Sequence, residues 1–345
     1  MNLELFVKNS TMKNSLITIG ESIHASIPRT GKMMKRLHEL GSQAYSVSSE
    51  PLDYIKTLIE SQASEGADYI AVNLDAFGEE NPQLAIDMMV EYVRLVRKWG
   101  KGVPICIDSS NDDVLIAGLK EWYNIENPKS ETCLERSRKI RNPKLLRHPL
   151  INSVKAYTMD KILPLKKDFE FTFIGLLLGE RASVGLGGSH SVDELYFLAK
   201  RIFEEAVGKY GFQPDEILFD STVFPLAIDI PMEPGVPGYT YRTFQTIRKI
   251  KNDPEMKGVH CSLGISNCVR DLPGRKVGVC RAYVAKAMEY GLDAAIVNVA
   301  HHYGQIPPDP ELLGLVDAYT KMDGSAERLN LAVELMSKFC RKAKN

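Results

Sequence analysis

No apolar run in the 345 residues approaches the ~18 that a bilayer-spanning helix needs. The opening stretch MNLELFVKNSTMKNSL also lacks the basic-then-apolar order of a secretory signal. A cytoplasmic protein with no membrane partner is therefore expected. Basic excess is missing too: 43 Lys and Arg stand against 44 Asp and Glu, for a formal net charge of −1. A chain so balanced is a poor candidate for neutralising nucleic-acid phosphates, so no nucleic acid is expected as partner. There is no C-x-x-C pair among Cys106, Cys133, Cys261, Cys268, Cys280 and Cys340. These cysteines fall mostly inside apolar segments and read as reduced core residues, with no metal bound. The glycine-rich G-x-G-x-x-G turn, the phosphate loop G-x-x-x-x-G-K-[ST] and the nucleophile elbow G-x-S-x-G are all absent. Nucleotide binding and serine-nucleophile chemistry lose their usual support.

What is present is an ordinary globular composition, 44% apolar and 25% charged, and a repeated alternation of two patterns. Short runs rich in β-branched residues recur at 16–21, 68–74, 103–108, 150–154, 171–178, 216–220, 258–263 and 293–299. Amphipathic stretches separate most of them. Eight apolar strands alternating with helices predict a (β/α)8 barrel in one domain spanning 1–345, rather than a doubly wound sheet. Asn81, Pro82 and Gly100 bracket one helix, and Ser191 with Glu194 makes a capping box for another. A closing helix is predicted over 325–344, with Leu329, Val333, Met336 and Cys340 on its buried face. The plan is interrupted at 122–148, where seven Lys or Arg face three Glu. This insertion reads as a solvated helical excursion, with partner docking as the alternative.

The predicted strands end in polar residues, at the end where barrel enzymes place their chemistry. Glu21, Asn73, Asp108, Asn152, Asp220, Ser266 with Asn267, and Asn298 would converge on one mouth. Each alone could cap a helix, but together they form a cup of carboxylates and amides with few cations. Such a cup suits a neutral heterocycle rich in hydrogen-bonding groups. A carboxylate accepts two coplanar N–H bonds from an amidine-like edge, and an amide both donates and accepts. His24 reads as a loop hydrogen-bond partner. His301 and His302 are adjacent and so diverge on any regular element, which argues against a shared metal.

The motifs CIDSSN at 106–111, AGLK at 117–120, LINSV at 150–154, FD at 219–220 with Pro225, and LGISN at 263–267 followed by Arg275 occur in this order. Together they resemble the pterin-binding methyltransferases that move a methyl group between methyltetrahydrofolate and a corrinoid protein, the folate domain of cobalamin-dependent methionine synthase among them. The resemblance covers roughly residues 16–300 and implies a dihydropteroate-synthase-like barrel. It implies that Asp108, Asn152 and Asp220 anchor the pterin, and that Asn267 lies near the reactive N5. Glu21, Asn73, Ser109 and Arg275 fall on further family positions, with Ser266 beside Asn267. The implied substrate is tetrahydrofolate or its 5-methyl form, the implied partner a separate corrinoid protein, and the implied assembly a homodimer. One departure stands out: the acidic residue common two places before the strand-two Asn is Ala71 here. The cobalamin signature D-x-H-x-x-G is absent, since Val299 occupies the Asp position ahead of His301 and Gly304. Dihydropteroate synthase itself is an alternative, but the Ser-x-Arg anion site it would need near strands seven and eight is missing. A noncatalytic pterin-binding module is the other alternative.

Overall fold

The computed structural model describes residues 16–79, 81–124, 148–178, 191–229, 234–272, 274 and 276–344. Most of the predicted insertion, Cys133 and Arg275 lie outside the described residues. Eight parallel strands close into a barrel in sequence order: β1 (Ile17–His24), β2 (Tyr69–Asn73), β3 (Ile105–Asp108), β4 (Leu150–Lys155), β5 (Thr172–Leu176), β6 (Ile217–Asp220), β7 (His260–Gly264) and β8 (Ala294–Val297). Around them run α1 (Pro28–Glu39), α2 (Glu50–Ser64), α3 (Pro82–Trp99), α4 (Asp112–Tyr123), α5 (Val192–Tyr210), α6 (Tyr239–Asn252), α7 (Lys276–Tyr290), α8 (Pro310–Tyr319) and α9 (Ala326–Lys344). This is the expected (β/α)8 barrel. No described helix is long and apolar enough to cross a membrane.

The strands are apolar on both faces because each face is buried. Ile19, Tyr69, Ala71, Cys106, Leu150, Ile174, Leu218 and Ala294 fill the barrel interior. The alternate residues, such as Ile70, Val72, Ile107, Ile151, Phe173 and Phe219, pack outward into the helical shell. Six strands are one to three residues shorter than their apolar runs and β4 is one longer, whereas β1 continues to His24 through an irregularity between Gly20 and Ile23. Short strands suffice here, since the closed barrel leaves no unpaired edge.

Helix ends follow local chemistry. Asn81 occupies the N-cap of α3 without bonding through its side chain, because Pro82 already removes one donor that a cap would satisfy. Ser191 and Glu194 form the reciprocal capping box of α5, and Asn111 caps α4 by accepting from the Asp113 amide at 2.8 Å. The predicted buried face of α9 requires correction. Among the described residues Ala332, Leu335 and Phe339 are buried, Leu329, Met336 and Cys340 of the expected face are half-buried, and Val333 is exposed. Phe339 sets the rotation by packing edge-on against Tyr319 at 5.6 Å between ring centres, since the largest apolar side chain gains most from burial.

The two ends of the barrel differ in character. At the N-terminal end of the strands, Asp293 accepts from Lys251 Nζ at 2.7 Å and from the Cys261 amide at 2.8 Å, and its carboxylate meets His260 Nδ1 at 2.9 Å. At the other end, the connection after β6 is strapped by the segment between α8 and α9. Gly235 and Gly238 donate to the carbonyls of Gly324 and Met322, both at 2.8 Å, while the Tyr319 hydroxyl donates to Leu226 O at 2.9 Å. Gly324 is required there: its φ is +84°, and a Cβ would lie 2.6 Å from the Val236 carbonyl carbon.

Candidate active site

The pleat of the strands positions the polar residues. Ile19, Ala71, Cys106, Leu150 and Leu218 point into the barrel, and the side chain two residues further along a strand points the same way. Those next residues are Asn73, Asp108, Asn152 and Asp220, joined by Glu21 from the irregular stretch of β1, whose charge acts on Asp108. They therefore form a polar layer on an apolar floor, at the C-terminal end of the strands. Strand register sets three of them level, with Asn73 opposite Asp108 and Asp108 opposite Asn152. Asp220 comes from β6, whose neighbours at that level are Leu176 and Ser262.

The layer is bonded internally. Asn152 Nδ2 donates to Asp108 Oδ1 at 2.9 Å, and Asn73 bonds to the same carboxyl from the other flank. Asp220 Oδ1 accepts from the Thr222 amide at 2.7 Å. Ser266 Oγ donates to Glu21 Oε2 at 3.1 Å, tying the turn after β7 to β1. Burial over the apolar floor lifts Asp108 to about 7, against the pull of Asn73 and helped by the charges of Asp75, Asp220 and Glu21. The same desolvation lifts Asp220 and Glu21, each to about 7. Near neutrality these acids exchange protons readily, so each can accept an N–H from a ligand or donate to its ring oxygen or nitrogen.

Ser266 and Asn267 lie exposed in the turn Ile265–Val269, above the polar layer. The Asn267 amide nitrogen sits 3.1 Å from where a Cβ would stand on Gly264, so the glycine gives that side chain its space. Ser109 is buried and its hydroxyl donates to Asp75 Oδ1 at 2.6 Å, while the Ser110 amide donates to Asp75 Oδ2 at 2.8 Å. Ser109 thus holds the rim together rather than pointing freely into the cup. Asn298 caps the turn after β8 by accepting from the Ala300 amide, and His24 accepts from the Ser26 amide at 3.1 Å. His301 Nδ1 pairs with the Tyr303 hydroxyl at 2.8 Å. Among the described residues, no group of three or more His, Cys, Asp or Glu side chains could hold a metal ion.

Asp75 is the residue the sequence reading missed. An acid at position 71 would have stood in the apolar floor, where Ala71 is now buried; the carboxylate serving the β2–β3 rim is two residues after Asn73 instead of two before. The available signal was N-x-D at the end of a strand, because an Asp just beyond the last paired residue reaches neighbouring loop amides. Beside the cup, a cavity of about 110 Å³ is lined by Glu21, Ser266, Lys276, Cys280, His301 and Tyr303, among others.

No family model matches the chain. Among solved structures, it is similar to dihydropteroate synthase from Stenotrophomonas maltophilia, crystallised with imidazole bound in the active site, at 16% identity and a TM-score of 0.47. The alignment covers 78% of this chain and 89% of that one.

Proposed function

We propose that the protein is a methyltransferase that moves a methyl group between N5 of tetrahydrofolate and the cobalt of a corrinoid held by a separate protein. The observation that carries this reading is the bonded row Asn73, Asp108, Asn152 at one level, with Asp220 supplied from β6 and Asn267 on the turn above. A pterin has an N–C–N edge bearing donors, which a carboxyl such as Asp108 or Asp220 accepts in one plane. Asn152 offers both bonding senses, although its NH2 is shared with Asp108. The apolar floor below excludes water and leaves these hydrogen bonds strong. Within this reading the chain serves as the folate-side component of a methyl-scavenging system that uses ethers, betaines or methylamines, and works as a homodimer.

Breaking the methyl–N5 bond would expel an amide-like anion unless N5 is protonated or strongly hydrogen-bonded as the bond lengthens. A neutral amide such as Asn267 can reorient from donor to acceptor as that protonation changes. It thereby strengthens its contact in the transition state without titrating. The Ser266–Glu21 bond holds its turn in place. The corrinoid would supply the cobalt nucleophile, which has to approach in line with the methyl group.

The test is anaerobic. Protein, methyltetrahydrofolate and free cob(I)alamin are mixed, and loss of the Co(I) absorption band is followed. Enzyme-dependent conversion is expected, and Asn267→Ala should lower its rate far more than it weakens pterin binding. Equal losses in rate and affinity would sink the transition-state role of Asn267. Tight pterin binding without methyl transfer to either free or protein-bound corrinoid would favour the synthase or the binding module.

A further inference from the structure

The cavity beside Glu21 leads to a feature that methyl transfer does not use. Cys280, in the second turn of α7, lines it. Its sulfur stands 3.9 Å from that of Cys268, which belongs to the Ile265–Val269 turn. Both side chains are almost wholly buried in the protein, at 3% and 0% exposure. The cavity nevertheless gives Cys280 a small solvent-sized neighbour, since about 110 Å³ exceeds the ~30 Å³ share of one water molecule. We propose that Cys280 and Cys268 form a peroxide-reactive modification site, in which a small hydroperoxide enters the cavity, oxidises Cys280 and leaves a Cys268–Cys280 disulfide.

The surroundings distinguish this pair from the other described cysteines. Hydrogen bonding from Cys268 is the main influence drawing the Cys280 thiol below its ordinary range; Tyr303 and the charge of Lys276 add to it, against the opposing effects of burial and of the charge of Glu21. Burial pushes Cys106, Cys261 and Cys340 upward, and burial together with the bond to Cys280 does the same for Cys268. The thiolate is the nucleophile in thiol oxidation, so Cys280 reacts first and Cys268 resolves. In the first step the Cys280 sulfur forms an S–O bond to one peroxide oxygen as the O–O bond breaks. The departing oxygen takes up a proton and leaves as an alcohol, or as water when the oxidant is hydrogen peroxide. In the second step the Cys268 sulfur attacks the Cys280 sulfenic acid, the S–S bond forms, the S–O bond breaks, and the hydroxyl leaves as water with the Cys268 proton. The two sulfurs lose two electrons in all, and the peroxide gains them.

Closing the bond brings the sulfurs from 3.9 Å to about 2.0 Å. Cys268 directly follows Asn267, and the same turn carries Ser266, whose hydroxyl holds Glu21. The displacement therefore falls on the turn that the methyltransferase reading makes essential. This consequence for turnover rests on that reading; the thiol chemistry does not.

The test uses the full, reduced chain titrated with hydrogen peroxide, quenched with an alkylating reagent and digested with trypsin. Cleavage after Lys257, Arg270, Lys276 and Arg281 places Cys261 and Cys268 in peptide 258–270 and Cys280 in peptide 277–281. A cross-link between these peptides is expected, with loss of two free thiols, both restored by dithiothreitol. Cys268→Ser should abolish the cross-link and leave Cys280 as a sulfenic acid that dimedone traps; Cys280→Ser should leave Cys268 alkylated at the same peroxide dose. A cross-link that persists in Cys268→Ser, or a Cys280 that stays reduced while other cysteines oxidise, would overturn the assignment. Methyl transfer measured on the same samples should fall with the cross-link and recover on reduction. If the reduced protein transfers no methyl group, the functional reading fails, and the peptide map still decides the thiol site.

Discussion

Asp220→Asn offers the most direct reading of the energy stored in the cup. Burial moves this carboxyl from 3.8 to about 7, and the residue is only 9% exposed. Between those pH values the folded chain holds a proton that the unfolded chain has released, so stability falls as pH rises through this window. Below the unfolded value there is no penalty, and above about 7 it is complete. Three pH units at about 1.4 kcal/mol each give roughly 4 kcal/mol as an upper figure. That is a large share of the 5–15 kcal/mol typical of a folded protein. An asparagine keeps an oxygen to accept the Thr222 amide at 2.7 Å, so the change removes the titration while sparing the local bond. Denaturant unfolding of both proteins from pH 5 to pH 8 should show curves that diverge, with the variant more stable at pH 8 by up to about 4 kcal/mol. Its affinity for pterin should meanwhile collapse. A difference that stays constant across this pH range would refute the claim that Asp220 is held protonated by its surroundings.

Two further outcomes follow from bonded neighbours. Asn152→Ala takes away the donor 2.9 Å from Asp108 and should weaken tetrahydrofolate binding about 10- to 100-fold, the scale of one hydrogen bond to a charged group; an unchanged Kd by calorimetric titration would count against Asn152 as an anchor. Gly31→Ala in α1 would place a Cβ 2.1 Å from the carbonyl oxygen of Ala25, a backbone atom that cannot step aside. It should lower stability by about 1–3 kcal/mol, and a thermal midpoint equal to the parent's would contradict that close approach.

The barrel was legible because its strands are covered on both faces, which makes them continuous apolar runs that alternation with helices then orders. Position within the site was legible for a related reason. Asp108 and Asp220 are the final residues of strands, so a polar residue closing an apolar run marks the rim. Glu21 was harder to place, since β1 runs three residues past it through an irregularity that no apolar pattern reports. Asp75 lies beyond its strand, and its partners, Ser109 and the Ser110 amide, come from a loop 34 and 35 positions away. Neither periodicity nor composition carries such a pairing. The face of α9 was misjudged because residues three and four apart offer two overlapping stripes, and only the docking of Phe339 on Tyr319 chooses between them. The nearness of Cys268 and Cys280 is likewise a product of packing between a turn and a helix.

The strap between α8 and α9 bears on how the protein is made. During synthesis the ribosome releases all eight strands before residues 319–339, yet the amides of Gly235 and Gly238, in the connection that leaves Asp220, donate to Gly324 and Met322, and the Leu226 carbonyl accepts from Tyr319. A nascent barrel can thus close its ring of strands while the rim beyond β6 still lacks its fastening. Maturation of the cup is deferred until the later helices dock, and chaperones would meet a chain whose sheet is complete but whose mouth is not.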